Sequence, residues 1–314
     1  MNSKNGEAHY IGIDVSKTRL DVGRLEELLV KQYAYDETGL RRLVEELGAF
    51  RAGRVVVEAS GGMERRLVAE LVKAELPVAL VNPKRVRDFA RAAGQLAKTD
   101  HLDALVLARF GKALEPAVYQ ARSEDAEQLK EWVSRRKQLV DMRSAEKNRL
   151  SSARGDVRER IQRHIGFLDE EILALDRDIE DLINQHGEWQ EQADLLQTVP
   201  GVGQVTAATL IADLPELGQV NRQKIAVLVG LAPLNHDSGH KRGQRRVYGG
   251  RASVRRVLYM AALTATRSDP AFKAFLENLL SRGKVWKVAI TACMRKLLVI
   301  LNAMVRDGRE WQSA

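Results

Sequence analysis

Four carboxylates stand where residue type and spacing point to chemistry: Asp14, Glu58, Asp100 and Asp103. Asp14 lies in Ile-Gly-Ile-Asp-Val-Ser-Lys. A carboxylate on a strand flanked by apolar residues is costly unless it is paired or metal-bound. Glu58 closes the run Val55-Val-Val-Glu at a strand's C-terminal end, where α/β sheets present ligand-binding groups. Asp100 and Asp103, in Lys-Thr-Asp-His-Leu-Asp-Ala, are three apart and share one face of a helix. Like charges at that spacing repel unless a cation sits between them. Each residue also has a plainer reading. Asp14 caps a strand end, Glu58 is a solvated loop residue, and Asp100 is an N-cap with Asp103 favouring the helix dipole. Taken together, the four offer hard oxygen donors for Mg²⁺ or Mn²⁺. Two such ions can stabilise the attacking and leaving oxygens of phosphodiester cleavage.

A second centre surrounds Ser238, in His236-Asp-Ser-Gly-His240. Lys241, Arg242, Arg245, Arg246, Arg251, Arg255 and Arg256 follow it, and no acidic residue occurs from Gly239 through Ser268. Such a cluster suits phosphate clamping and stabilises charge on a transferring phosphoryl group. Of the thirteen serines, Ser238 has the best electrostatic setting for attack on a phosphodiester; its plain reading is a turn serine. His236 and His240 have metal-ligand spacing but no evident third ligand. Further upstream, Val199-Pro-Gly-Val-Gly203 separates two apolar helical patterns. Gly201 and Gly203 there give a helix-hairpin-helix-like turn, a phosphate cradle at a helix N-terminus, or else only a tight turn.

The elements that must carry these residues fall into three segments: 1–122, 123–192 and 193–314. In the first, strands are expected at Tyr10–Val15, Leu20–Val22, Arg54–Glu58 and Val78–Val81, with helical spacing over Leu40–Phe50 and Gly61–Glu75. Alternating signals of this kind indicate an α/β layer structure. An Asp placed like Asp14 occurs in ribonuclease-H-like nucleases and in actin-like ATPases, but Ser16-Lys17-Thr18 lacks the phosphate-loop glycine of the latter. In the second segment, Ile161, Ile165, Leu168, Ile172, Leu175, Ile179 and Leu182 follow spacings of 4, 3, 4, 3, 4 and 3, a coiled-coil seam. Residues 135–163 hold ten basic and four acidic side chains, and 168–194 hold ten acidic and one basic. Either these are two solvated faces of a helical hairpin, or a basic arm lies on a nucleic-acid backbone with an acidic arm turned away. The third segment is expected to be mostly helical.

Composition limits the partners. The net charge of +8 favours nucleic acid or another anionic surface, and 5% aromatic against 29% charged content suits helix-rich packing. One cysteine, Cys293, excludes an intramolecular disulfide framework and any Cys-rich zinc module. The start lacks a signal peptide's apolar core, and the longest uncharged stretch, Leu195–Ala212, contains Gln, Pro and Gly. No membrane association is expected, and a reduced, cytoplasmic protein is.

At this point the chain resembles a known family, the bridge-RNA-guided insertion-sequence transposases. These join an N-terminal DEDD domain, related to Holliday-junction resolvases, to a C-terminal serine transposase domain. Tyr-Ile-Gly-Ile-Asp14-Val-Ser-Lys, Val-Glu58-Ala-Ser-Gly, Val-Asn-Pro-Lys-Arg and Lys-Thr-Asp100-His-Leu-Asp103-Ala carry the likeness in the first domain. Val-Pro-Gly-Val-Gly, Val-Gly-Leu-Ala-Pro, Asp-Ser238-Gly-His-Lys-Arg-Gly-Gln-Arg-Arg and Gly-Gly-Arg-Ala-Ser-Val-Arg-Arg carry it in the second. The resemblance implies a ribonuclease-H-like (RuvC-like) domain whose four carboxylates hold Mg²⁺, and a Ser238 that forms a phosphoserine link to DNA. It further implies a structured guide RNA pairing with target and donor DNA, a homo-oligomer in which dimers assemble to a tetramer, and a bacterial or archaeal, nucleoid-associated setting. The competing readings are a hydrolytic DEDD junction nuclease and a non-catalytic nucleic-acid-binding assembly factor.

Overall fold

The structure, a computed structural model, describes residues 9–49, 52–95, 100–234 and 246–312; of Asp100, His101, Leu234 and Arg246 it describes the backbone alone. The chain divides into two compact units, Met1–Ala121 and Arg122–Ala314.

The first unit is a five-stranded mixed sheet with helices on both faces. Its strands are β1 (His9–Val15), β2 (Arg19–Arg24), β3 (Leu29–Ala34), β4 (Ala52–Glu58) and β5 (Val78–Val81), in the spatial order β3-β2-β1-β4-β5. β1 pairs antiparallel with β2 and parallel with β4, which pairs parallel with β5. The expected α/β layer is therefore present, with a sheet that is mixed. The sequence reading lacked β3: four of its six side chains are exposed, so it shows no apolar run.

Alternation explains the two faces. Ile11, Ile13, Val15, Leu20, Val22, Val55 and Val57 bury one face together with residues of α1 (Glu37–Gly48) and α2 (Arg65–Lys73). Val56 faces the other way, into a cluster with Val81, Val86 of α3 (Pro83–Ala92) and Val106, Leu107 and Phe110 of α4 (Asp100–Leu114). Strands covered on both faces read as continuous apolar runs, which is why Val55-Val-Val57 is unbroken. Local chemistry sets the helix starts. Asp36 accepts from Gly39 N at 2.8 Å, and Asn82 accepts from Lys84 N at 2.8 Å with Pro83 in the first turn.

The second unit joins a helical hairpin to a helical core. The hairpin pairs α5 (Glu124–Leu150) with α6 (Gly155–Asn184), roughly 40 and 45 Å long at 1.5 Å per residue. Ile165, Leu168, Ile172, Ile179 and Leu182 of the seam are buried, with Leu139 packed beside Leu168 and Ile172. The seam thus closes within one chain. At its base, Leu129, Val133, Ile179, Leu182 and Ile183 merge into the core formed by α7 (Gly187–Gln197), α8 (Gln204–Asp213), α9 (Arg222–Val229), α10 (Ala252–Ser268), α11 (Pro270–Ser281) and α12 (Trp286–Asp307). Residues 123–192 and 193–314 accordingly lie in the same compact unit.

α12 is long and apolar enough to cross a membrane by length and composition. Here it is a core helix: Ile290, Cys293, Leu297, Leu298 and Leu301 pack in the unit's interior. Burial raises the Cys293 thiol pKa above its usual value, leaving it a neutral packing group.

Candidate functional site

One face of the sheet carries Asp14 and Glu58, and α4 packs on that face. A Cβ on Gly12 would lie 2.1 Å from the Ala104 carbonyl oxygen, and one on Gly23 would lie 2.9 Å from the same oxygen. α4 therefore rests directly on the backbones of β1 and β2. Further along, a Cβ on Gly111 would meet Val56 Cγ2 at 2.7 Å and Tyr10 Cδ1 at 3.6 Å. From Ala104 to Gly111 the helix passes from Gly12 back toward Tyr10, so it runs antiparallel to β1. Its first turn lies toward the C-terminal end of that strand.

Side-chain alternation then assigns the faces. Asp14 is two residues past Gly12 and shares its face; Glu58 is two past Val56 and points the same way. In the parallel ladder Ile13 is opposite Val57, which sets Asp14 and Glu58 on neighbouring strand ends about 4.8 Å apart. Asp103, half-buried in the first turn of α4, lies toward the same end. The backbone of Asp100 begins that turn. Their carboxylate oxygens are hard donors, chemically suited to Mg²⁺ or Mn²⁺. Among the described residues, no group of three or more His, Cys, Asp or Glu side chains is close enough to hold a metal ion.

Two further carboxylates of this region escaped the sequence reading. Asp21 lies directly opposite Asp14 in the antiparallel ladder, hence on the same face, and is only 1% exposed. Arg19 Nε reaches it at 2.9 Å and Gln32 Nε2 at 2.8 Å, so the buried charge is compensated. Its signal was the period-two run Arg19, Asp21, Gly23 on the α4 face of β2. Glu64 organises the loop after Glu58. Its Oε2 accepts from Ser60 N at 3.0 Å, Ser60 Oγ at 3.1 Å and Gly62 N at 2.9 Å. Burial alone would raise the Glu64 pKa, yet the backbone and serine hydrogen bonds hold it below the usual carboxylate value.

The second centre is described only at its edges. Ser238, with His236, His240, Lys241, Arg242 and Arg245, lies outside the described residues, and of Arg246 only the backbone is described. A two-residue ribbon brackets this segment, pairing β6 (Pro233–Leu234) with β7 (Arg246–Val247). Next to it a Cβ on Gly230 would lie 2.1 Å from the Gly249 carbonyl oxygen. Arg255 spans the same junction, donating to Val229 O at 2.8 Å and also to Gly249 O. Arg251 grips Glu216 through both nitrogens, at 2.5 and 2.6 Å, and Arg256 meets Asp141 at 2.5 Å. All three described arginines expected at phosphate thus have protein partners.

The Pro-Gly-x-Gly turn joins α7 to α8, as a helix-hairpin-helix-like unit requires. Its two glycines do different work. Gly201, at φ +90, is pressed against α10, where a Cβ would lie 2.5 Å from the Ala261 carbonyl oxygen. Gly203 is exposed and caps α8, its carbonyl oxygen accepting from Thr206 N at 2.9 Å and Ala207 N at 3.0 Å.

Comparison with known proteins finds two transposase models in order along the chain. Residues 11–153 match a transposase family model, that of the DEDD domain of IS110 elements, and residues 193–277 match the "Transposase IS116/IS110/IS902 family" model. The pilin gene-inverting proteins of Moraxella bovis and Moraxella lacunata are each 29% identical over 311 residues, covering 96% of this chain and 96% of their own length. The transposase for insertion sequence element IS1111A of Coxiella burnetii is 23% identical over 262 residues, 74% of this chain and 70% of its own. The chain thus carries, in order, the two domains of IS110/IS116/IS902-family insertion-sequence transposases.

Proposed function

We propose that this protein is a DNA recombinase of an insertion element that cuts and rejoins strands through a phosphoserine intermediate. The observation that supports this most is the sheet face described above, with Asp14 and Glu58 on adjacent strand ends and Asp103 in the turn of α4 that lies toward them. The order β3-β2-β1-β4-β5, with helices on both faces, favours a ribonuclease-H-like, RuvC-like reading of this unit.

Asp14, Glu58, Asp100 and Asp103 would hold Mg²⁺, with Mn²⁺ as a substitute. When bound, the ion supplies Lewis-acid stabilisation of the charge on a reacting phosphate. Asp21 and Glu64 position this set, Asp21 from the paired strand and Glu64 by fixing the loop after Glu58. Ser238 Oγ attacks a DNA phosphorus and forms a P–O bond, while the bond to the leaving deoxyribose oxygen breaks and the serine proton passes to a base. A strand hydroxyl later attacks the phosphoserine, which restores the serine and rejoins DNA. Lys241, Arg242, Arg245 and Arg246 carry the positive charge that holds phosphate, with Gly203 and the α8 N-terminus as a further backbone contact. Guidance by a structured RNA that pairs with target and donor DNA, and a dimer that assembles to a tetramer, follow from the resemblance.

Trapping tests this reading. In a reaction with labelled DNA, denatured protein should carry label at Ser238. The Ser238→Ala protein should lose both adduct and recombination while still binding DNA. Cutting at an unchanged rate by Ser238→Ala would replace the serine with water and make the protein a hydrolytic junction nuclease.

A further inference from the structure

The antiparallel hairpin redistributes charge in a way that its two arms do not show when taken singly. Arg136 meets Asp176 at 3.0 Å through Nη2, and Arg143 meets Asp169 at 2.6 Å. Basic α5 and acidic α6 therefore neutralise each other along the middle of the hairpin, so the picture of one basic arm and one acidic arm does not hold. Beyond Arg143 the acidic run of α6 has ended. The last turns of α5 now face the first turns of α6, and both are basic. Residues 147–163 contain six cations, Lys147, Arg149, Arg154, Arg158, Arg160 and Arg163, against Asp156 and Glu159. The opposite end carries Glu124, Asp125, Glu127 and Glu131 on α5, across from the acidic end of α6. Charge is thus polarised along the hairpin axis, positive at the tip.

The tip is also poorly supported by its own chain. Past Arg143 the arms meet once more, His164 Nδ1 to Glu146 Oε1 at 3.6 Å, and α5 continues about 6 Å beyond Glu146 at 1.5 Å per residue. From Gly155 to His164 no side chain is buried, and all six cations are exposed. Arg158 donates to Leu150 O at 3.0 Å and closes the turn, and Arg149 pairs with Glu146 at 2.7 Å. Six cations around one hairpin end repel one another; closely spaced phosphates neutralise them, and the counterions condensed on the nucleic acid are released.

We propose that the tip of the α5–α6 hairpin, residues 147–163, is a docking surface for the phosphate backbone of duplex DNA. It rests on DNA being the substrate, as proposed above. Binding here is independent of sequence, because every contact is to phosphate.

The test is the salt dependence of binding to a fluorescent DNA duplex of arbitrary sequence, measured without divalent ions so that no cleavage step enters. The triple variant Arg154→Gln, Arg160→Gln, Arg163→Gln should flatten the slope of log K against log salt by about 2 to 3, at about 0.9 per lost phosphate contact. The matching triple Lys variant should keep the wild-type slope, since charge is what counts. Arg177→Gln, in the acidic half of α6, should bind like wild type. Since these side chains are exposed, the melting curve should not move. Unchanged slope and affinity in the triple Gln variant would overturn the proposal. So would a loss confined to a structured RNA probe, which would make the tip an RNA surface. Neither result bears on the Ser238 adduct, so the two readings fail separately.

Discussion

Gly12 and Ala104 fix how the carboxylate face is built: a Cβ on the glycine would stand 2.1 Å from the alanine's carbonyl oxygen. This contact seats α4 on β1 and brings its first turn toward the strand end that carries Asp14. Gly12→Ala should force the helix off the sheet. The expected destabilisation is at or above the roughly 1–3 kcal/mol typical of overpacking. Thermal unfolding checks this directly; an unchanged melting curve together with wild-type cleavage would show that the approach is looser than described.

Asp14→Asn should abolish strand cleavage and leave DNA binding nearly intact. The substitution removes one anionic oxygen donor and deletes no basic contact. Cleavage and duplex binding, measured on the same preparation, separate the two effects. Wild-type recombination by the Asn protein would end the assignment of Asp14 to the ion.

The heptad seam should behave as an intramolecular one. Ile172→Asp buries a charge between Leu139 and Leu168 and should cost roughly 3 kcal/mol or more. Because both arms belong to one chain, protein diluted until it is monomeric should keep the hairpin's helical signal in circular dichroism. Loss of that signal on dissociation would mean that the seam is shared between copies.

Acid should weaken the second unit partly through Glu216. The hydrogen bonds from Arg251 hold the Glu216 pKa below the usual carboxylate value, and burial opposes them only in part. A carboxylate depressed on folding contributes stability above its unfolded pKa, about 4.3 for Glu, and loses it as pH falls through the folded value. Glu216→Gln should therefore be less stable than wild type near neutral pH, with the gap closing below about pH 4. A gap that stays constant from pH 7 to pH 3 would contradict this role.

Sequence alone determined the features that depend on neighbours along the chain. The unbroken Val55-Val-Val57 identifies a strand covered on both faces, and the spacing from Ile161 to Leu182 identifies a seam, because burial repeats with the period of each element. The carboxylates Asp14, Glu58, Asp100 and Asp103 were legible because acidic residues at strand ends and at a helix start are conspicuous locally. Ladder register and packing decided the rest. Asp21 shares the face of Asp14 only because β2 folds back to set it opposite that residue. Arg255, one member of a basic run, is drawn instead to carbonyl oxygens where Gly230 and Gly249 meet. Gly201, read as part of a phosphate cradle, is needed where α10 leaves no room for a Cβ. The hairpin's charge followed the same rule: each arm's composition was plain, but antiparallel pairing cancels it in the middle and concentrates it at the tip. Such pairings join residues far apart in the chain, and local periodicity carries no record of which distant groups will meet.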